Sequence, residues 1–310
     1  MITTRTTEDA MITTRKTEIV KAAATYYTLT RMQLQRVCDE KNDRVMRKRL
    51  FELCQEGLLN KTRQEVLNPS MTSSAPVYYP SRKGLEFLAC ELEEPSWLQC
   101  CTHTPNWQML LHWTTVAEFH IRLDQAIAGQ KDVTSGGWLG EWDVANPDDA
   151  EPHKRFRLFT LFSERPRLVC IPDAALLLCV NGYAKIHYVE MDRATSGIKA
   201  IAHSKTPGYA ALSERRAHRR HFTTNTDSFF VLSVSPTCAR RDALRDAIAD
   251  KRGAELWKFA AWEDLTPERL IHGPVWYRCE GKAQPLVRTT APSPTPLANG
   301  AVPSPSQVQI

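Results

Sequence analysis

Arg167 to Arg193 reads RLVCIPDAALLLCVNGYAKIHYVEMDR, and its order of apolar, turn and acidic residues decides the architecture of the larger part of the chain. Asn181-Gly182 is a strong two-residue hairpin signal, because both types tolerate the positive φ of a type I′ turn. On one side lies an apolar strand over 167–180, broken by Pro172-Asp173; on the other lies a strand over 184–192 carrying Glu190 and Asp192. Side chains two apart share one face of a strand, so the two acids point the same way, and the hairpin brings Asp173 near them. Three carboxylates on one sheet face repel one another unless a cation neutralises them. Hard oxygen ligands suit Mg²⁺ or Mn²⁺, with Asp173 and Glu190 as the expected ligands and Asp192 assisting. Such an ion can polarise a phosphate and generate hydroxide for phosphodiester hydrolysis. The structural alternatives stay open: Asp173 as a turn residue after Pro172, and Glu190 and Asp192 paired with Arg193 and Lys199.

Around this hairpin, residues 107–128 have helical spacing, with Leu110, Leu111, Val116, Phe119 and Leu123 on an apolar face and Glu118 and His120 beside it. Residues 137–144 read as a strand carrying Glu141. Residues 198–216 are helix-like, with Pro207-Gly208 expected to interrupt or kink them. A strand over 229–234, a helix over 239–251 and an edge strand over 256–262 follow. Alternating helices and strands over 106–278 predict an α/β sandwich with a mixed central sheet.

The first third reads differently. Helical spacing over 16–27 is followed by Thr30 as the N-cap of a second helix, and by a third helix from Asp43 to about Glu56, stopped by Gly57. Two strands, 58–63 and 75–80, flank a polar loop, and Ser81 caps a last helix to Leu92. Three helices, a hairpin and a closing helix predict a winged helix-turn-helix over 16–95. At about 100° per residue, Met46, Leu50, Leu53 and Cys54 fall on the inner side of the third helix. Arg44, Lys48, Phe51 and Gln55 fall on the outer side, flanked by Arg47. That surface suits a major groove, where Arg reads guanine and Gln reads adenine. Lys61 and Arg63 on the wing would contact the phosphate backbone. A winged helix that binds protein instead is the alternative.

Charge agrees with that division. Residues 1–90 hold 15 Lys and Arg against 10 Asp and Glu, whereas residues 91–310 hold 25 of each. The whole excess of +5 therefore sits where a polyanion would be met. The longest apolar run is the seven residues 174–180, far short of the ~20 a membrane helix needs. The polar N-terminus carries no secretory signal. Nine cysteines without a C-x-x-C pair predict reduced thiols and a cytoplasmic chain. Structural zinc is not expected. Residues 1–15, with a tandem Met-Ile-Thr-Thr-Arg, are expected to be a disordered leader with an alternative start at Met11. Residues 283–310, with six prolines, are expected to be a disordered tail. Residues 91–105 read as a domain-joining loop with no Gly/Ser linker, so the two parts are expected to pack or share a helix. Neither a phosphate-binding G-x-x-x-x-G-K-[ST] loop nor a G-x-S-x-G elbow occurs.

Pro172-Asp173, the run Tyr188 to Arg193, Lys205 and Tyr209 resemble the replication-relaxation family of bacterial plasmid and mobile-element proteins, as do Leu111-His112 and Trp142 after Glu141. The resemblance covers roughly residues 16–275. It implies a winged helix joined to a domain similar to the PD-(D/E)xK nuclease fold, acting in plasmid replication and in relaxation or mobilisation of DNA. Active nucleases of that fold place a lysine two residues after the second acid; here that position is Asp192. Lys205 on the following helix could reach the same space and steady the transition state. His112 reads as a hydrogen-bonded core histidine, and Glu118 and Glu141 as lesser ligand candidates. The basic run 215–221 reads equally as a DNA clamp or a solvated helix end. The expected partners are double-stranded DNA at a plasmid origin or transfer region, a relaxase or replication initiator, and a second copy in a homodimer, with no membrane. A non-catalytic relaxosome scaffold with a degenerate nuclease fold, or a transcriptional regulator, is the alternative to a nicking enzyme.

Overall fold

In the computed structural model, residues 7–63, 75–224 and 226–287 are described. The N-terminal part comprises α1 (Thr7–Tyr26), β1 (Leu29–Thr30), α2 (Arg31–Val37), α3 (Asp43–Gln55), β2 (Leu59–Thr62), β3 (Val77–Pro80) and α4 (Arg82–Glu91). The three strands form an antiparallel sheet in the order β1-β3-β2. Local chemistry accounts for the boundaries. Thr30 and Gln33 form a complete capping box at α2, and the Ser81 hydroxyl caps α4 through the Gly84 N–H. Gly57 takes φ +72° after α3, the left-handed turn that a Cβ would disfavour. The N-cap of α3 is Asn42 rather than Asp43, its side chain accepting from Arg44 N and Val45 N. Helix α1 begins at Thr7, so residues 7–15 of the expected leader are helical. Once Ile19 and Val20 are buried, each added turn extends an existing hydrogen-bond ladder, and Arg15 pairs with Glu18 one turn on.

The larger part contains α5 (Leu110–Ala128), β4 (Val133–Gly140), α6 (Pro152–Arg155), β5 (Thr160–Glu164), β6 (Arg167–Cys170), β7 (Ala174–Val180), β8 (Tyr183–Met191), α7 (Ile198–Glu214), β9 (Phe229–Ser235), α8 (Cys238–Ile248), β10 (Trp257–Ala261) and α9 (Pro267–Leu270). Five strands form one mixed sheet in the order β10-β9-β8-β7-β4, with β8, β9 and β10 parallel and β7 and β4 antiparallel. Residues alternate between its faces. Leu176, Leu178, Val189 and Val234 pack with Phe119 and Leu123 of α5, while Leu177, Ile186, Tyr188 and Val231 pack with Tyr209 of α7 and Leu244 of α8. Asn181 and Gly182 have φ +47° and +82°, as the β7–β8 hairpin requires.

The stretch 167–180 is two strands, not one. Pro172-Asp173 ends the first, and β6 leaves the main sheet to pair with β5. Helix α7 runs through Pro207 without interruption. Gly208 sits so close to β6 that a Cβ there would lie 2.3 Å from the Val169 carbonyl oxygen, which fixes the seat of the helix. Residues 283–287 of the expected tail are packed, with Leu286 and Val287 buried and Val287 N donating to the Ile271 carbonyl. The remainder of that tail lies outside the described residues. No described helix is long and apolar enough to cross a membrane.

The two parts share α5. Ala117 and Ile121 complete the N-terminal core, whereas Val116, Phe119 and Leu123 belong to the sheet core. The Tyr26 hydroxyl donates to Asp124 at 2.7 Å and Gln33 Nε2 to the Thr114 carbonyl at 2.9 Å.

Candidate functional site

Helix α3 presents the surface its spacing implies. Met46, Leu50 and Leu53 are fully buried, while Arg44, Arg47, Lys48, Phe51 and Gln55 are exposed, as are Lys61 and Arg63 at the start of the wing. Arg47 lies 2.8 Å from Asp43 and Lys48 3.8 Å from Glu52. Exposed pairs of this kind contribute little and exchange readily for a phosphate. Tyr26, Tyr27, Tyr78 and Tyr79 are buried packing residues.

The second surface is a cleft of about 400 Å³ lined by His112, Asp173, Glu190, Asp192 and Lys205. Asp173 occupies the gap between β6 and β7, where its Oδ2 accepts the Met191 N–H at 2.7 Å. Glu190 projects from β8 toward α7, accepting from the Tyr209 hydroxyl at 2.6 Å and from Lys205 Nζ at 2.7 and 2.9 Å. Lys205 also lies 3.9 Å from Asp173 Oδ1 and donates to the Ile171 carbonyl at 3.0 Å. One ammonium therefore bridges the two acids named from the sequence. Helix α5 brings His112 within 3.3 Å of Asp173 and 4.0 Å of Glu141, and Trp113 Nε1 donates to Glu141. His112 is thus part of the site and not a core residue; its position on a helix face could not be told from packing by spacing alone.

Asp192 differs from expectation. It lies beyond the end of β8, on the face shared with α7 and α8, and Arg240 of α8 holds both its oxygens at 2.6 and 3.0 Å. Its charge is compensated there, so it does not join Asp173 and Glu190. Glu118 also lies elsewhere, between Arg36 and Arg122. In the basic run, His218 is buried, Arg215, Arg216, Arg219 and Arg220 are exposed, and His221 Nδ1 lies 2.6 Å from the Tyr188 hydroxyl.

Electrostatics separate the acids. Burial pushes the Glu190 carboxyl up to about 7, with the Asp173 charge adding to the shift and Lys205 opposing it. Burial and Asp173 likewise raise Glu141 to about 7. Burial also works against Asp173, but His112 and Lys205 outweigh it and hold this carboxyl below its ordinary range. Burial disfavours the His112 cation, yet Asp173 and Glu141 raise its pKa. Among the described residues no three His, Cys, Asp or Glu side chains form a metal-holding group. Asp173 and Glu190 nevertheless supply hard oxygen donors on one cleft wall, a donor set that suits a divalent ion better than a soft one.

Fold and site together define a winged helix mounted on a mixed α/β domain with a lysine-bridged carboxylate cleft. The replication-relaxation family model matches residues 24–227, well over half of the chain. The chain belongs to the replication-relaxation family, and that membership supports a replication-related, DNA-binding role. Among solved structures, a Halomicrobium mukohataei protein with a GntR superfamily winged-helix-turn-helix domain is similar to this chain at 13% identity. The match covers 38% of this chain and 80% of that one, with a TM-score of 0.22. No curated protein matches the chain.

Proposed function

We propose that the chain is a cytoplasmic DNA-binding protein of plasmid replication and DNA relaxation or mobilisation, whose winged helix selects a site and whose α/β domain hydrolyses one phosphodiester bond there. The observation that carries this reading is the convergence of Asp173, Glu190 and Lys205, contributed by a strand junction, a strand and a helix, in one cleft. In this reading the three form the acid–acid–lysine set of a PD-(D/E)xK-like site, with the lysine supplied by α7 in place of the strand.

In this reading Arg44, Arg47, Lys48 and Gln55 enter the major groove, and Lys61 and Arg63 hold the backbone. Asp173 and Glu190 would hold Mg²⁺ or Mn²⁺, which supplies Lewis-acid polarisation of the phosphate when bound. Lys205, released from part of its pairing, faces the phosphate oxygens and stabilises charge that develops on them. His112 keeps Asp173 ionised and oriented. Glu141, with its carboxyl pushed up to about 7, would accept a proton from water. Arg240 keeps Asp192 out of the reaction. Double-stranded DNA at a plasmid origin or transfer region is the partner, with a relaxase or replication initiator, and a second copy of the chain, as further partners.

Incubating the protein with supercoiled plasmid and Mg²⁺ or Mn²⁺ should yield relaxed circles, and Asp173→Ala should abolish them while leaving duplex affinity within about twofold. A second reading, a non-catalytic relaxosome scaffold or transcriptional regulator, is favoured by the Lys205 bridge, which satisfies both acids without an ion. Absence of relaxed circles at every metal concentration, with duplex binding intact, would establish that second reading.

A further inference from the structure

Beside the carboxylate cleft lies a second cavity of about 450 Å³, which shares only Glu141 with the reaction above. Met109 lines both spaces, and two other lining residues reach across their boundary: Glu141 approaches His112, and the Ile171 carbonyl accepts from Lys205. One wall is aromatic. Tyr27 and Trp142, 2% and 8% exposed, stack on each other at 5.0 Å and 30° and form its backing. The half-buried Trp113, edge-on against Trp142 at 5.8 Å, and the half-buried Phe156 and Phe159 are its accessible aromatic lining. The wall is held in place by polar tips, since Trp113 Nε1 donates to Glu141 and the Tyr27 hydroxyl donates to the His103 carbonyl. Arg155 stands at the same cavity, steadied by an Nε bond of 2.6 Å to the Asp149 carbonyl.

Flat apolar walls with a few polar groups at the margin suit a flat heteroaromatic ring with a polar edge. A base inside a duplex cannot present its face to such a wall and must first leave the stack. Stacking on aromatic side chains offsets much of what unpairing a base costs. The shared boundary places such a ring next to the phosphate-binding cleft, and Arg155 offers a cation for the adjoining backbone.

We propose that this cavity receives a single unpaired nucleobase from the DNA strand whose phosphate lies in the carboxylate cleft. This rests on the DNA-binding reading above, and the test separates the two. Anisotropy titrations of the full chain in EDTA compare a perfect duplex with the same duplex carrying one unpaired base. Unpairing done in advance should tighten binding about tenfold, equivalent to about 1.4 kcal/mol. Phe156→Leu and Phe159→Leu, each keeping apolar bulk but removing an aromatic face, should cut that preference to below about threefold and leave perfect-duplex affinity unchanged. Equal affinity of the unmodified protein for both duplexes, or a preference unaltered in both variants, overturns the cavity proposal and leaves DNA binding standing. No binding to either duplex overturns both.

Discussion

Lys205 and Arg240 pair with two neighbouring acids in different ways. Lys205 bridges Glu190 and Asp173 with Glu141 close by, yet burial, helped by the Asp173 charge, outweighs this one cation, so Glu190 and Glu141 titrate high. Arg240 takes Asp192 alone, through both oxygens, and a bidentate fork is hard to displace. Period two placed Glu190 and Asp192 on one face correctly, but it carries no information on which cation each acid meets. A third titratable residue, His187, sits on the other face of β8, 3% exposed, with its Nδ1 lacking a hydrogen-bond partner among the described residues. Burial, then the charges of Lys258 and Lys185, lower its pKa to about 3. Because the folded value lies below the unfolded 6.5, the unfolded chain takes up the proton first. The contribution of neutral His187 is complete above pH 6.5 and is lost as pH falls towards 3. Relative to His187→Leu, the wild-type chain should therefore lose stability by about 1.4 kcal/mol per pH unit over that window. Urea midpoints of the two proteins at pH 7, 6, 5 and 4 measure the difference, and a constant gap would refute it.

Among the elements, α3 carries the sharpest expectation. Arg44→Ala combined with Lys48→Ala removes two exposed cations that touch no core residue, so stability should hold while affinity for duplex DNA falls. The slope of log affinity against log salt should flatten by about two, one counterion released per phosphate contact; an unchanged slope would remove α3 from the interface. The residues that made α3 readable are local: Met46, Leu50 and Leu53 recur at helical spacing, and Gly57 stops the helix. The β7–β8 hairpin was equally readable, because Asn181-Gly182 permits few other conformations. Legibility fails where partners are remote. Strand β5 (Thr160–Glu164) has no alternation to announce it and exists because β6 turns aside to pair with it. Helix α7 continues through Pro207 because Gly208 lets it settle against β6, a contact invisible in the spacing. His112 and Glu141 lie 29 residues apart in sequence and meet only because α5 crosses the sheet ends.

At the scale of the molecule, the charge division between the first 90 residues and the rest was visible in the sequence, and the lack of a Gly/Ser linker at 91–105 pointed to parts that pack or share a helix, but not to which helix. It is α5, which gives Ala117 and Ile121 to one core and Val116, Phe119 and Leu123 to the other. Tyr27 and Tyr79 of the winged part pack into the sheet core as well. Neither core is complete without the other, so unfolding should be a single transition. Far-ultraviolet circular dichroism and tryptophan fluorescence followed through urea should give coincident midpoints; two separated steps would show the parts to be energetically independent.

Helix α5 consequently behaves as a ruler. It carries His112 at the cleft and, about one and a half and two and a half turns on, Ala117 and Ile121, against which the winged part is seated; if both proposed surfaces meet DNA, they do so at a constant separation. Any scission by this chain would then fall a set number of base pairs from its recognition sequence, whatever bases lie in between, and lengthening that interval would move the break within the DNA sequence instead of abolishing it.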